Sequence, residues 1–190
     1  MNSDIHKILD VENLKQILTN SIISEAPGDS KSKIAAVMII IFGNEPILLM
    51  TERPTTMNHH AGEISFPGGM WEKEDRDLLG TAIRETREEL GVEISRSMVI
   101  GQLNPVTTLS SGFTITPFIA MLDELPSIAP NSEIASVLRM PLFSLLQTIE
   151  DDKDPSHTSI LEMHTFKFQN HLIWGASARM LKQMLVKISS

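Results

Sequence analysis

The chain has 190 residues, 42% of them hydrophobic, which is enough to bury one sizeable core in a single compact unit. Its formal charge of −8 and pI of about 5.2 argue against nucleic acid as a partner, because neutralising phosphates takes clustered Lys and Arg. With no cysteine at all, disulfides, zinc–thiolate centres and cysteine nucleophiles are excluded.

In chain order, Met1-Asn2-Ser3-Asp4 lacks a basic stretch leading into an apolar run, so no secretory leader is expected. Ile5, Ile8, Leu9, Leu14, Ile17, Leu18 and Ile22 recur at helical spacing and predict an amphipathic helix over 4–23, packed on the same domain through a linker ending near residue 30. A β-branched run interrupted at Gly43-Asn44 predicts strands at 33–42 and 47–51, and that interruption rules the segment out as a membrane span. A loop from Glu52 to Gly68-Gly69 follows, then a helix over 77–90 with an Asp at its start. Strands are expected at 99–108 and 113–122 around Ser110-Ser111-Gly112, and at 133–140, with Pro141 opening a short helix. A hairpin at 160–168 and 172–174 and a last helix at 176–187 complete the pattern, while the stretch from Asp151 to Ser156 reads as a solvated loop. Hairpins interleaved with helices imply an α/β fold, a mixed sheet covered by helices.

The most informative segment is Gly68-Gly69, fourteen intervening residues, then Arg84-Glu85-Thr86-Arg87-Glu88-Glu89-Leu90-Gly91-Val92. On a helix Glu85, Glu88 and Glu89 stand at roughly 0°, 300° and 40°, so they share one face. Two carboxylates about 4 Å apart repel by about 4 kcal/mol at an effective dielectric near 20. Arg84 and Arg87 relieve part of that, and a hard divalent ion is the other remedy. Taken alone, such a run also fits a solvated, salt-bridged helix face. Phe66-Pro67-Gly68-Gly69 before the helix and a glycine suited to a left-handed cap after it frame the unit as a whole.

This framed segment resembles the Nudix box, G-x5-E-x7-R-E-U-x-E-E-x-G-U with U a bulky apolar residue. Thr86 stands at the first U, and counting back from Arg84 places Arg76 where the box has Glu, with Asp75 and Asp77 on either side. The resemblance implies a Nudix-type α/β/α sandwich with a loop-helix-loop motif. It also implies hydrolysis of a diphosphate bond with Mg²⁺ or Mn²⁺ held by Glu85, Glu88 and Glu89, and Arg84 orienting them.

Upstream, Leu48 to Arg53 and His59-His60-Ala61-Gly62-Glu63-Ile64-Ser65-Phe66-Pro67-Gly68-Gly69 resemble the signature of the coenzyme A diphosphatase branch. Thr116-Pro117-Phe118, Asn131 to Val137 with Met140-Pro141-Leu142, and Ile173 to Leu181 resemble later parts of that branch. Pro54 and Asn58 depart from it, standing where a small and a basic residue are usual. The implied products from coenzyme A are 3',5'-ADP and 4'-phosphopantetheine. ADP-ribose, NADH or a dinucleoside polyphosphate are alternative substrates, and a non-catalytic nucleotide- or protein-binding Nudix module is the alternative of another class.

Arg53, His60, Gly68 and Gly69 are the candidate substrate contacts, Arg53 reading equally as a surface charge and His59 and His60 as merely polar loop residues. Glu133 resembles a downstream acidic ligand or base found in some Nudix enzymes, but equally fits a surface strand start. Trp174 and Arg179 read as braces of the last helix. A cytoplasmic protein is expected, with a small nucleotide-diphosphate partner, no nucleic acid or membrane partner, and a homodimer open.

Overall fold

A computed structural model describes residues 10–27, 33–55, 62–109, 111–153 and 163–190. It contains α1 (Val11–Leu18), β1 (Ile34–Phe42), β2 (Ile47–Glu52), β3 (Ile64–Ser65), β4 (Gly68–Met70) and α2 (Leu78–Leu90). A 3₁₀ turn at Arg96–Met98 leads to β5 (Val99–Gln102), β6 (Val106–Thr107), β7 (Thr114–Leu122), β8 (Ser136–Pro141) and α3 (Leu142–Leu146). Then come β9 (Glu150–Asp151), β10 (His164–Phe168), β11 (His171–Ile173) and α4 (Gly175–Ile188).

The larger sheet is mixed, running β3-β2-β1-β7-β5. Its centre is β1, which pairs in parallel with β7 along all nine residues, from Ile34 opposite Thr114 to Phe42 opposite Leu122. Both faces of β1 are covered, so its sequence IAAVMIIIF is apolar throughout rather than alternating. One face buries Val37, Ile39 and Ile41 against Leu14 and Leu18 of α1 and Leu181 and Met184 of α4. The other buries Ala36, Met38 and Ile40 against Leu79, Ala82 and Leu90 of α2. Two helical layers on a mixed sheet make the α/β/α sandwich.

The second edge of β1 positions the site. Its carboxyl-terminal half pairs with β2, Ile40 opposite Leu49. Its amino-terminal half pairs with β4, Ala36 opposite Gly69 and Val37 opposite Gly68. The glycine segment expected as loop is therefore a short strand, which propensity hides because glycine is a poor strand former.

Other elements differ from expectation. The first helix stops at Leu18, and its predicted extension to Ile23 is replaced by a strap along β5: Asn20 N–H donates to the Ile100 carbonyl (3.1 Å) and the Asn20 side chain bonds Gln102. Edge hydrogen bonds outcompete a last helical turn here; the part of that helix before residue 10 lies outside the described residues. The strand expected at 99–108 is broken between β5 and β6 by Leu103-Asn104-Pro105, proline having no N–H for a ladder. The strand expected from Glu133 starts at Ser136, since Asn131 to Ala135 form a turn closed by Glu133 N–H on Asn131 Oδ1 (2.8 Å). Glu150 and Asp151, expected in or beside a solvated loop, form an edge strand against β10.

Candidate active site

The helix α2 is set by its ends. Asp77 caps it, its carboxylate accepting from Gly80 N–H (2.8 Å) and from Arg96 Nη2 (2.6 Å). Gly91 ends it at φ 69°, the left-handed cap that its sequence position suggests. Within the helix Thr86 is fully buried where a bulky apolar residue is usual, and its hydroxyl is satisfied by the Ala82 carbonyl at 2.7 Å.

Arg84 is the hub. It forms a fork with Asp75, Nε to Oδ1 at 2.9 Å and Nη2 to Oδ2 at 3.0 Å. Its Nη1 donates to Glu85 Oε1 (2.8 Å) and Glu88 Oε2 (3.1 Å), and its Nη2 also reaches the Met70 carbonyl (3.1 Å). Asp75, not the residue that counting back from Arg84 puts at the Glu position of the box, is the acid that meets Arg84, and Arg76 is exposed. Counted forward, Asp75 follows Gly69 after five residues as the box requires; the additional residue lies between Asp75 and Arg84. Burial works against ionising Asp75, but hydrogen bonds from Arg84, the Glu72 N–H and Thr81 outweigh it and hold its carboxyl below the usual range.

The glycines make room for the carboxylates. A Cβ on Gly69 would collide with the Glu85 carboxylate, and one on Gly68 with the Ala36 carbonyl and Val37, at a φ of 153°. Gly68 N–H donates to Glu89 Oε2 (3.0 Å). Glu89 is only 6% exposed, and burial pushes its pKa up to about 7; the Gly68 N–H and Arg53 pull it down, while the charges of Glu85 and Glu133 add to the rise. Burial likewise raises Glu85, against the opposing pull of Arg84. The shared helix face thus runs from buried Glu89 through half-buried Glu85 to exposed Glu88, whose side chain is 48% exposed.

Gly68, Gly69 and Arg53 line a cleft of about 780 Å³, within the range of small-molecule sites. Glu85 and Glu89 stand immediately behind the two glycines. Arg53 is tied at its backbone, its N–H to the Glu63 carbonyl and its carbonyl to Gly62 N–H, both 3.1 Å. Glu133 is exposed, in the turn before β8, close enough for its charge to act on Glu89. His59 and His60 lie outside the described residues. Glu63 and Arg179 also line the cleft and were not singled out for it by sequence; the fork between Asp75 and Arg84 was visible only as an offset in the box.

The donor set suits a hard divalent cation: Glu85 and Glu89 offer carboxylate oxygens whose charged forms burial and mutual repulsion disfavour, a cost that a bound cation would offset. Among the described residues no three acidic or imidazole side chains are already converged on one point. Arg84 holds Glu85 and Glu88 while Gly68 holds Glu89.

Residues 32–162 match the NUDIX domain family. A protein of Photorhabdus laumondii described as an uncharacterized Nudix hydrolase, NudL, is 30% identical over 167 residues, covering 84% of this chain and 87% of its own. Among solved structures, a MutT/nudix family protein from Enterococcus faecalis superposes with a TM-score of 0.57 at 16% identity, over 84% of this chain; the chain spans only 63% of that one. The NUDIX domain of Shewanella oneidensis NrtR, crystallised with ADP ribose, superposes at 0.51 with 15% identity, over 77% of this chain and 87% of that one. The chain belongs to the Nudix hydrolase family. Nudix hydrolases generally use divalent metal ions. Among the described residues no helix is long and apolar enough to cross a membrane.

Proposed function

We propose that this chain hydrolyses the diphosphate bond of coenzyme A or its derivatives, releasing 3',5'-ADP and 4'-phosphopantetheine, with Mg²⁺ or Mn²⁺ as cofactor. The observation that carries the chemistry is the packing of Glu85 and Glu89 against Gly68 and Gly69, which line the cleft. Preference for coenzyme A rests on the sequence segments around Arg53, Gly62 to Gly69 and Ile173 to Leu181.

Glu85 and Glu89, with Glu88 directly or through water, would hold the metal. When bound, the ion supplies Lewis-acid polarisation of phosphate oxygens and lowers the pKa of a coordinated water. The reaction breaks one P–O bond of the anhydride and forms one to the water oxygen, the departing phosphate keeping the bonding pair. Asp75 fixes Arg84, and Arg84 in turn aims Glu85. The water proton passes to a carboxylate, for which the helix glutamates and Glu133 are the candidates. Arg53, and His60 from outside the described residues, complete the substrate contacts in this reading.

A second reading keeps the residues and changes the substrate to ADP-ribose, since the NrtR domain was crystallised with that compound. Comparing kcat/KM for coenzyme A, ADP-ribose and NADH tests the choice. A value for coenzyme A at least ten times the others supports the proposal, and a higher value for ADP-ribose replaces it with the second reading.

A further inference from the structure

The cleft contains a cation that the chemistry above does not use. Arg179, on α4, lines it together with Gly68, Gly69 and Phe113. Its Nη2 donates to the Thr107 carbonyl of β6. Its Nε is buried and has no hydrogen-bond partner, and no ion pair to Arg179 is found among the described residues. Burial pushes its pKa below the ordinary arginine value with no acidic group opposing the shift. An arginine that served only to tie α4 to β6 would need one donor; this one keeps a buried N–H and an uncompensated charge at the wall of a substrate-sized cleft. That Nε is shut off from solvent, so an anion in the cleft would meet the guanidinium through its outer nitrogens and offset the uncompensated charge.

Sheet register fixes where that anion would lie. Met70 of β4 stands opposite Ala35, Ala35 opposite Ile115, and Ile115 opposite Val106 of β6. Between the glycine strand and the strand that holds Arg179 there are thus three strand spacings, about 14 Å. One diphosphate cannot touch both. With about 3 Å of hydrogen-bond length at each end, the remainder accommodates a nucleoside, in a cleft that Phe113 also lines, with Lys33 Nζ 5.5 Å from its ring centre.

We propose that Arg179 is a specificity-determining contact for a phosphomonoester carried on the ribose of the substrate, held across the cleft from the diphosphate at Gly68 and Gly69. The inference rests on the nucleotide-diphosphate reading of the same cleft. It deepens that reading by assigning a cation to the additional phosphate. The chemistry is shared by a 3'-phosphate, as in coenzyme A, and a 2'-phosphate, as in phosphorylated nicotinamide dinucleotides.

The test is calorimetric binding of 3',5'-ADP, 2',5'-ADP and 5'-AMP to the intact chain, which needs no turnover. At least one bisphosphate is expected to bind ten-fold or more tighter than 5'-AMP, and Arg179→Met is expected to reduce that ratio to within about two-fold. Preference for 2',5'-ADP would keep Arg179 in its role while removing coenzyme A as substrate, so the two proposals fail separately. Equal affinity of the unmodified protein for all three nucleotides overturns the inference. So does a loss in Arg179→Met that is equal for bisphosphates and 5'-AMP, which would make Arg179 a structural brace. If that variant does not fold, the ratio in the unmodified protein and its fall in Arg179→Lys decide, because a single ammonium does not reproduce the guanidinium fork; a ratio unaltered by Lys overturns the inference.

Discussion

Arg84 and Asp75 meet in a two-point fork, Nε to Oδ1 at 2.9 Å and Nη2 to Oδ2 at 3.0 Å, nine residues apart in sequence, and the side chains are 18% and 6% exposed. That geometry fixes the direction of the remaining Arg84 donor, which reaches Glu85 and Glu88.

Removing the acidic half of the fork should therefore act at two levels. Asp75→Asn is expected to cost about 2–3 kcal/mol, as for the loss of charge-assisted hydrogen bonds in a part-buried site, and to lower turnover at least ten-fold by freeing Arg84. Arg76→Ala, at the position where the box pattern places its acid, is expected to change stability by no more than about 0.5 kcal/mol. Urea unfolding together with initial rates on both variants checks the contrast. Equal effects at the two positions would remove Asp75 from its assigned role.

The two glycines should fail in different ways. In Gly69→Ala the methyl group meets the end of the Glu85 side chain, which can swing aside. Stability is expected to fall by less than about 1 kcal/mol, while hydrolysis falls a hundred-fold or more. In Gly68→Ala the methyl group meets the backbone of β1 at a positive φ, so the expected result is poor folding. Thermal melts and rates on both proteins distinguish the outcomes.

Glu89 gives a pH-dependent prediction for the metal-free protein. Its folded pKa, about 7, lies above its ordinary value of 4.5. Protonation therefore favours the folded state: the penalty for ionising Glu89 is absent well below pH 4.5, grows between 4.5 and 7, and is complete above 7. In chelator, Glu89→Gln should be more stable than the parent at pH 8, by about 3 kcal/mol at most, and nearly equal to it at pH 4. With Mg²⁺ present the gain should shrink or reverse, and hydrolysis should drop a hundred-fold or more. Denaturant midpoints at the two pH values, with and without metal, read out each part.

At the helix start the sign is opposite. Burial opposes ionisation of Asp77, but hydrogen bonds from Arg96, the Gly80 N–H and Ser24 outweigh it, so its folded pKa is below the ordinary 3.8. Its stabilisation is present above about pH 4 and is lost as pH falls through the folded value. Asp77→Ala should cost about 1–2 kcal/mol at pH 7, a difference that narrows toward pH 2. A difference that held constant from pH 7 to pH 2 would show that the carboxylate charge contributes nothing.

Periodicity made the helix that carries the carboxylates legible nearly to the residue, because Asp77 and Gly91 are local signals. The long apolar run of β1 was equally readable. What escaped was decided by contacts distant in sequence. Asn20 finds Gln102, 82 residues away, and the first helix yields to a strap. Gly68 and Gly69 pair with β1 and so count as strand. At the site, one helix face grouped Glu85, Glu88 and Glu89, but their graded burial and the choice of Asp75 rather than residue 76 depend on where β4 runs. Arg179 reads as a brace, and its bond to Thr107 agrees; its place in the cleft wall and its unpaired charge depend on β6 and α4 meeting there. Trp174, read the same way, has 38% of its surface exposed.

The most direct test of the central claim is identification of products by mass spectrometry after incubating the purified chain with coenzyme A, in Mg²⁺ or Mn²⁺ and in chelator. The expected products are 3',5'-ADP and 4'-phosphopantetheine, formed with metal only and not by Glu85→Gln or Glu89→Gln. Products that persist in chelator or in both variants, or intact coenzyme A alongside cleaved ADP-ribose or NADH, would contradict it.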